Sequence, residues 1–289
     1  MPRRSLQPMR SFLRRALGLV PDSPYILFLR HPVVVRLSHW INALCLLVLF
    51  MSGLQIFNAH PALYWGSSSD FDHPILSMTA VDTGDGLKGV TQIGALRFDT
   101  TGYLGASDVD GYPTARGFPD WITLPGPQWL AMGRLWHFAF AWLFAINGLL
   151  FWGWAIARGH ARHDLLPTRG DLAHLPREIL DHLRLRFPKG DAARRYNALQ
   201  KLAYFIVIFV LAPLVVLTGL TMSPTMDSAF PGLLWIFGGR QSARTIHFIC
   251  AFSFFGFFIV HMVMVVLSGT WNNVRSMITG RYAIEDSHE

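Results

Sequence analysis

Charged residues are scarce in this chain. Only 15% of its 289 residues are Asp, Glu, Lys or Arg and 52% are hydrophobic, whereas an ordinary soluble domain carries roughly 25% charge. Cysteine is scarcer still: Cys45 and Cys250 are the two in the chain, and both fall inside apolar stretches. That placement excludes a disulfide framework and covalent cofactor attachment through Cys-x-x-Cys-His. No His-Glu-x-x-His sequence occurs, so a zinc site of that type is excluded. No nucleic-acid-binding motif accompanies the net charge of +7.

What the chain has in quantity is long apolar runs. Leu37–Phe57, Leu135–Ala157, Leu202–Met222 and Thr245–Leu267 contain no Asp or Glu, and each reaches the roughly 20 residues that cross about 30 Å of hydrocarbon. The expected fold is all-α and integral to a membrane, a bundle of four transmembrane helices. Residues 1–289 read as one membrane domain, with spans at 37–57, 135–157, 202–222 and 245–267. An N-terminal segment occupies 1–36, and long connections occupy 58–128 and 158–201.

The charge of +7 is mostly a topology signal. Ten Lys or Arg lie between Arg158 and Lys201, whereas the connection from Asn58 to Gln128 has Lys88, Arg97 and Arg116 against eight aspartates. With the Arg-rich first 36 residues, the positive-inside rule places both termini and the 158–201 connection in the cytoplasm. The aspartate-rich connection faces the other side. Paired arginines at Arg3–Arg4 and Arg14–Arg15 do not make an export signal, because no apolar run with a small-residue cleavage site follows closely. Ser11–Leu29 is expected to lie on the lipid interface as a short amphipathic helix, and a second interfacial helix is expected around Leu175–Phe187.

Ionisable groups inside a membrane are costly and tend to mark function. Three spans carry histidine: His39, His137, and the pair His247 and His261, fourteen residues apart. Fourteen residues of helix rise about 21 Å and return to within about 40° of the same face. Threading the spans alternately through the bilayer puts His39 level with His261 near the cytoplasmic edge, and His137 level with His247 near the outer edge. A porphyrin supplies four nitrogens to its iron, so a six-coordinate haem needs one such pair of imidazoles. The expectation is two non-covalent b haems, with His39, His137, His247 and His261 as metal ligands. The third span has no histidine and is expected to pack as support.

Arg36, Arg134 and Arg244 each precede a proposed ligand by three residues, a spacing that shares a helix face. Each lies one turn nearer the membrane surface, where a guanidinium fork suits a haem propionate. Gly53, Gly148, Gly219 and Gly256 fall within the spans and would admit a close neighbour.

The ligand order and the fourteen-residue pair resemble the b-type cytochrome subunits of membrane-bound nickel-iron hydrogenase and formate dehydrogenase, grouped with bacterial cytochrome b561. The resemblance spans all four apolar stretches. Arg195-Tyr-Asn-Ala-Leu-Gln-Lys201 is similar to the Tyr-Asn-x-x-Gln-Lys segment of the formate dehydrogenase gamma subunit. That likeness implies a quinone site, for ubiquinone or menaquinone, with Asn197 and Gln200 beside the cytoplasmic haem of His261. On the residues alone, the same spacing fits a helix start.

The 58–128 connection is longer than the resemblance leads one to expect. Turn signals such as Thr83-Gly-Asp-Gly86 and Asp108-Val-Asp-Gly111, with Tyr64, Trp65, Tyr103, Tyr112, Trp121 and Trp129, point to an ordered cap that docks a partner. Calcium at Asp108 and Asp110 lacks the remaining ligand spacing. The expected function is transfer of electrons across the membrane between quinone and a periplasmic dehydrogenase or reductase, by analogy alone one carrying molybdopterin. A second reading is a self-sufficient cytochrome acting on a small oxidant or reductant such as superoxide. A third is a haem-free transporter or scaffold, which the pairing of the intramembrane histidines disfavours.

Overall fold

The computed structural model describes residues 25–84, 86–184 and 196–285. Four helices in it are long and apolar enough to cross a membrane: α1 (Val33–Phe57), α2 (Leu130–Ala157), α4 (Ala198–Thr221) and α7 (Arg240–Leu267). All four expected spans are present, each starting four or five residues earlier than the apolar runs. Polar residues such as Arg36, Arg134, Gln200 and Arg244 fit within a helix at its ends, where their heads reach the interface.

The chain divides into two compact units. One comprises residues 37–161 and 203–261, the other residues 1–36, 162–202 and 262–289. In the larger unit Cys45 of α1, Phe144 of α2 and Phe254 of α7 are buried together against Val207, Leu211 and Val215 of α4. All four spans thus meet there. Large apolar side chains such as Leu149, Leu150, Val260 and Leu135 stay exposed, as lipid-facing side chains do, since lipid is as apolar as they are. Within α4, Ile206–Leu211 widens into a π-helical stretch directly before Pro213. Proline lacks the N–H that would close the next α-turn, and the widened turn absorbs the mismatch.

The 58–128 connection is an ordered β cap. Four strands form one antiparallel sheet in sequence order: β2 (Ala62–Leu63), β3 (Leu76–Asp82), β4 (Leu87–Ile93) and β5 (Leu96–Asp99). A hairpin of β6 (Gly105–Val109) and β7 (Tyr112–Arg116) follows. Asp108 and Asp110 serve the hairpin turn: Gly111 N–H donates to Asp108 Oδ1 at 2.7 Å, and Asp110 takes φ 53°. Of the aromatic anchors, Trp65, Tyr103, Tyr112, Trp121 and Trp129 are exposed, whereas Tyr64 is buried.

The cap is tied down by buried polar contacts. Asn58 accepts from Phe118 N–H through Oδ1 and donates from Nδ2 to the Phe118 carbonyl at 3.0 Å. The Arg116 guanidinium donates to the Phe118 carbonyl, to Thr123 Oγ1 and to the Gly126 carbonyl at 2.7–3.1 Å. Thr245 Oγ1 at the head of α7 donates to the Tyr64 carbonyl at 2.7 Å. Beneath the cap, Phe57, Leu54, Leu63, Met78 and Phe118 pack with Phe248 and Phe252.

In the smaller unit, β1 (Tyr25–Leu29) pairs antiparallel with β8 (Arg281–Glu285), with Leu29 opposite Arg281. This corrects the expected Ser11–Leu29 helix over its last five residues; residues 11–24 lie outside the described ones. Pairing with a strand from the far end of the chain overrides local periodicity, which carries no trace of so distant a partner. An interfacial helix is expected at Leu175–Phe187; residues 185–187 lie outside the described ones, and over the rest of that span the structure has the helix α3 (Arg169–Leu183). It begins earlier because Thr168 and Asp171 form a reciprocal capping box, the Asp171 N–H donating to Thr168 Oγ1 at 3.1 Å and the Thr168 N–H to Asp171 Oδ2 at 2.8 Å. Short helices α5 (Pro224–Ala229) and α6 (Gly232–Ile236) link α4 to α7, and α8 (Thr270–Thr279) precedes β8.

Candidate functional site

The four histidines of the spans all belong to the larger unit, and they meet in two pairs. The rings of His39 and His261 lie 6.3 Å apart between centroids, and those of His137 and His247 lie 6.2 Å apart. Two collinear metal–imidazole bonds of about 2 Å would separate ring centres by roughly 6 Å. Both pairs stand at that separation.

The two levels differ in what holds the rings. At the His137–His247 level, His247 donates from Nδ1 to the Val215 carbonyl at 2.9 Å, with Thr218 Oγ1 at 3.1 Å. At His137, Nδ1 lies 3.1 Å from Ser52 Oγ. Both hydroxyls already donate to carbonyls of their own helices, Ser52 to Val48 at 2.6 Å and Thr218 to Leu214 at 2.7 Å. They face Nδ1 as acceptors. A carbonyl can only accept, and a hydroxyl whose proton is already given to another carbonyl does the same, so each Nδ1 carries the proton and each Nε2 keeps the lone pair a metal needs.

Gly53 and Gly219 complete this level, since a Cβ at either would stand 3.3 Å from Cε1 of His137 or His247. At Gly148 and Gly256 a Cβ meets nothing within 4 Å. The sequence reading had α4 as support only. In fact it supplies the partners of His247, and the recurrence of Ser52-Gly53-Leu54 as Thr218-Gly219-Leu220 in the first and third spans was the available signal.

At the His39–His261 level the contacts are aromatic. His261 stacks on Phe257 with centroids 5.7 Å apart, and His39 meets the edge of Trp40 at 5.1 Å. His39 Nδ1 is buried and has no hydrogen-bond partner among the described residues. One turn along, Asn147 of α2 donates to the Ser38 carbonyl at 3.2 Å and to Asn42 Oδ1 at 2.8 Å. The arginines are partly engaged. Arg36 donates to the Ile278 carbonyl at 2.5 Å, Arg244 donates to the His60 carbonyl and lies over Phe57, and Arg134 lies over Phe138. A guanidinium has five N–H donors, so each keeps others.

Asn197 and Gln200 sit in the smaller unit, where they form a capping box at the start of α4. Asn197 Oδ1 accepts from Gln200 N–H at 2.8 Å, and Gln200 Oε1 accepts from Asn197 N–H at 3.2 Å. The helix-start reading of this spacing is therefore realised. Asn197 Nδ2 remains, and it donates to His182 Nε2 at 3.3 Å, while His182 Nδ1 donates to the Glu178 carbonyl at 2.7 Å. His182 is part of this cluster. Glu178 Oε2 accepts from Leu199 N–H at 3.0 Å, and Lys201 pairs with Asp171 at 3.0 Å.

The Thr168 backbone N–H, seconded by Lys201 and the Thr168 hydroxyl, pulls the Asp171 carboxyl down to about 2 against a smaller opposing effect of burial. A depressed folded pKa contributes stability above the unfolded value of about 3.9 and loses it as pH falls toward 2. Amide exchange over residues 169–183, compared at equal intrinsic rate, is expected to quicken through that window. In Asp171→Asn this pH dependence should vanish; its persistence would remove Asp171 as the cause.

The sequence matches the profile of the prokaryotic cytochrome b561 family over residues 30–280. The chain belongs to that family. A protein of Azospira oryzae, named as a provisional protein-methionine-sulfoxide reductase subunit, YedZ1, is 28% identical over 237 residues, covering 82% of this chain and 90% of its own. As a cytochrome b561 the protein is an integral membrane electron-transfer protein, and the family binds haem of the b type. The paired imidazoles fit that cofactor in separation, and at the His137–His247 level in tautomer.

Proposed function

We propose that this cytochrome b561 moves electrons across the bacterial inner membrane through two b haems, between a redox partner on the outer side and quinone near the cytoplasmic side. The observation that carries the reading is the pair of ring separations, 6.3 Å for His39 with His261 and 6.2 Å for His137 with His247. A haem with two axial imidazoles supplies a one-electron couple. The chain's part is to hold four imidazoles in two pairs on rigid helices and to exclude water from them. Arg36, Arg134 and Arg244 offer their remaining N–H donors to carboxylates at the rims of these sites. The exposed Trp65, Tyr103, Tyr112 and Trp121 of the cap suit partner docking. The relative's name supports a partner that reduces methionine sulfoxide in protein.

For quinone, the available donor is Asn197 Nδ2, next to His182 on one side of the capping box. Asn197→Asp keeps a good helix cap and removes that amide donor. It is expected to retain both haems while slowing haem oxidation by quinone at least tenfold in stopped-flow spectroscopy. Unchanged quinone kinetics with both haems present would remove Asn197 from the site. Absence of haem from the purified unsubstituted protein would overturn the whole reading.

A further inference from the structure

The bundle contains the same ligand-holding device twice. In α1 the positions Leu49, Ser52 and Gly53, and in α4 the positions Val215, Thr218 and Gly219, stand at the same spacing. In each triplet the second residue places a hydroxyl oxygen 3.1 Å from a histidine Nδ1 and also reaches the carbonyl of the first, at 3.3 Å for Leu49 and 3.1 Å for Val215, and the third leaves room for the ring at Cε1; in α4 the Val215 carbonyl itself also accepts from His247 Nδ1 at 2.9 Å. The hydroxyls of Ser52 and Thr218 are fully buried, and each is turned by its own donation, to Val48 or Leu214, so that a lone pair faces the ring. Helix α1 serves His137 of α2, and helix α4 serves His247 of α7. The pairs α1–α2 and α4–α7 are two copies of one half-site. Neither His39 nor His261 has such a triplet opposite it among the described contacts, and His39 Nδ1 has no partner there at all.

We infer that Ser52 and Thr218 are positioning residues that set the electron-donor strength of the two imidazoles at the His137–His247 level, and so distinguish one haem from the other. This rests on the dihaem reading above. A hydrogen bond accepted from Nδ1–H gives the imidazole anionic character, makes Nε2 a stronger donor and favours the oxidised iron. It also fixes ring rotation and tautomer before the cofactor arrives. The His39–His261 level, held by aromatic packing, has neither effect. The haem at His137–His247 therefore has the lower reduction potential of the two.

Thr218→Val tests this, because valine keeps the shape and removes the oxygen. The measurement is an optical redox titration of the full chain in detergent, made in a His39→Ala background so that a single haem titrates. The expected result is one haem per chain, a midpoint moved to higher potential and a shifted low-spin EPR signal, both restored by Thr218→Ser. Ser52→Ala should move the midpoint the same way. Gly219→Ala, which presses a methyl on Cε1, should lower occupancy of this haem while the other remains in an otherwise unsubstituted chain.

A midpoint and EPR signal unchanged in Thr218→Val, at full occupancy, would overturn the inference and leave the dihaem reading standing. A shift that Thr218→Ser does not reverse would overturn it too, since valine would then act through shape. Failure of the dihaem reading is separately visible, as less than two haems per unsubstituted chain in a pyridine haemochrome assay.

Discussion

His137→Ala is expected to hold one haem per chain against the two proposed for the unsubstituted protein, and His247→Ala is expected to give the same result. His39→Ala and His261→Ala should each lose the other haem. The grouping follows from the rings, which stand 6.2 Å and 6.3 Å apart within pairs, while the two histidines on α7 are separated by about 21 Å of helix. A side chain removed at one level touches nothing at the other. A six-coordinate low-spin iron that loses one axial imidazole becomes five-coordinate or dissociates, and either outcome is visible as loss of half the low-spin absorbance. On the proposed path, transfer across the membrane needs both sites, so electron delivery from an outer donor to quinone should fall at least a hundredfold in all four variants. If any single variant emptied both sites while the chain stayed folded, the assignment of pairs would be wrong.

The cap should be the most sensitive part of the fold to one substitution. Arg116 is 3% exposed, and its guanidinium serves three acceptors on the segment 118–126. Burial holds this guanidinium below its ordinary pKa, partly offset by Asp120. Arg116→Ala removes three charge-assisted hydrogen bonds and the volume of a buried side chain, leaving the Phe118 carbonyl to Asn58 Nδ2 alone, at a cost of about 3–5 kcal/mol. Opening of the cap should become at least about a hundredfold more frequent, read as faster proteolysis within residues 58–129 at constant haem content. Arg116→Lys should lie between, because an ammonium keeps the charge without the planar fork. An unaltered cleavage rate in Arg116→Ala would mean that the Asn58–Phe118 clasp alone suffices.

The spans and the level of each histidine were legible because both are local. Apolar length sets a span, and helical rise sets depth. The cap's strands were missed although its turns were seen: Leu76–Asp82 and Leu87–Ile93 alternate only loosely in polarity, with burial falling on Ser77, Met78, Gly89 and Thr91. The Asn197-x-x-Gln200 spacing carried two meanings, and the capping box is the one the geometry displays. Ser52 and Thr218 were invisible as partners because a hydroxyl in an apolar helix most often bonds its own backbone. Theirs do that and face a histidine as well, a fact that depends on which helix packs alongside. The place of His182 beside Asn197 depends on the same tertiary information.

The pairing of β1 with β8 has a consequence for biogenesis. Tyr25 pairs with Glu285, 260 positions later in the chain, and translation proceeds at roughly 5–20 residues per second. An apolar strand, Tyr25-Ile-Leu-Phe-Leu29, thus emerges from the ribosome about 13–50 s before the segment that covers its edge. Unpaired edges of this kind invite association with other chains. Closure of this two-stranded sheet therefore requires that all four spans have already been made.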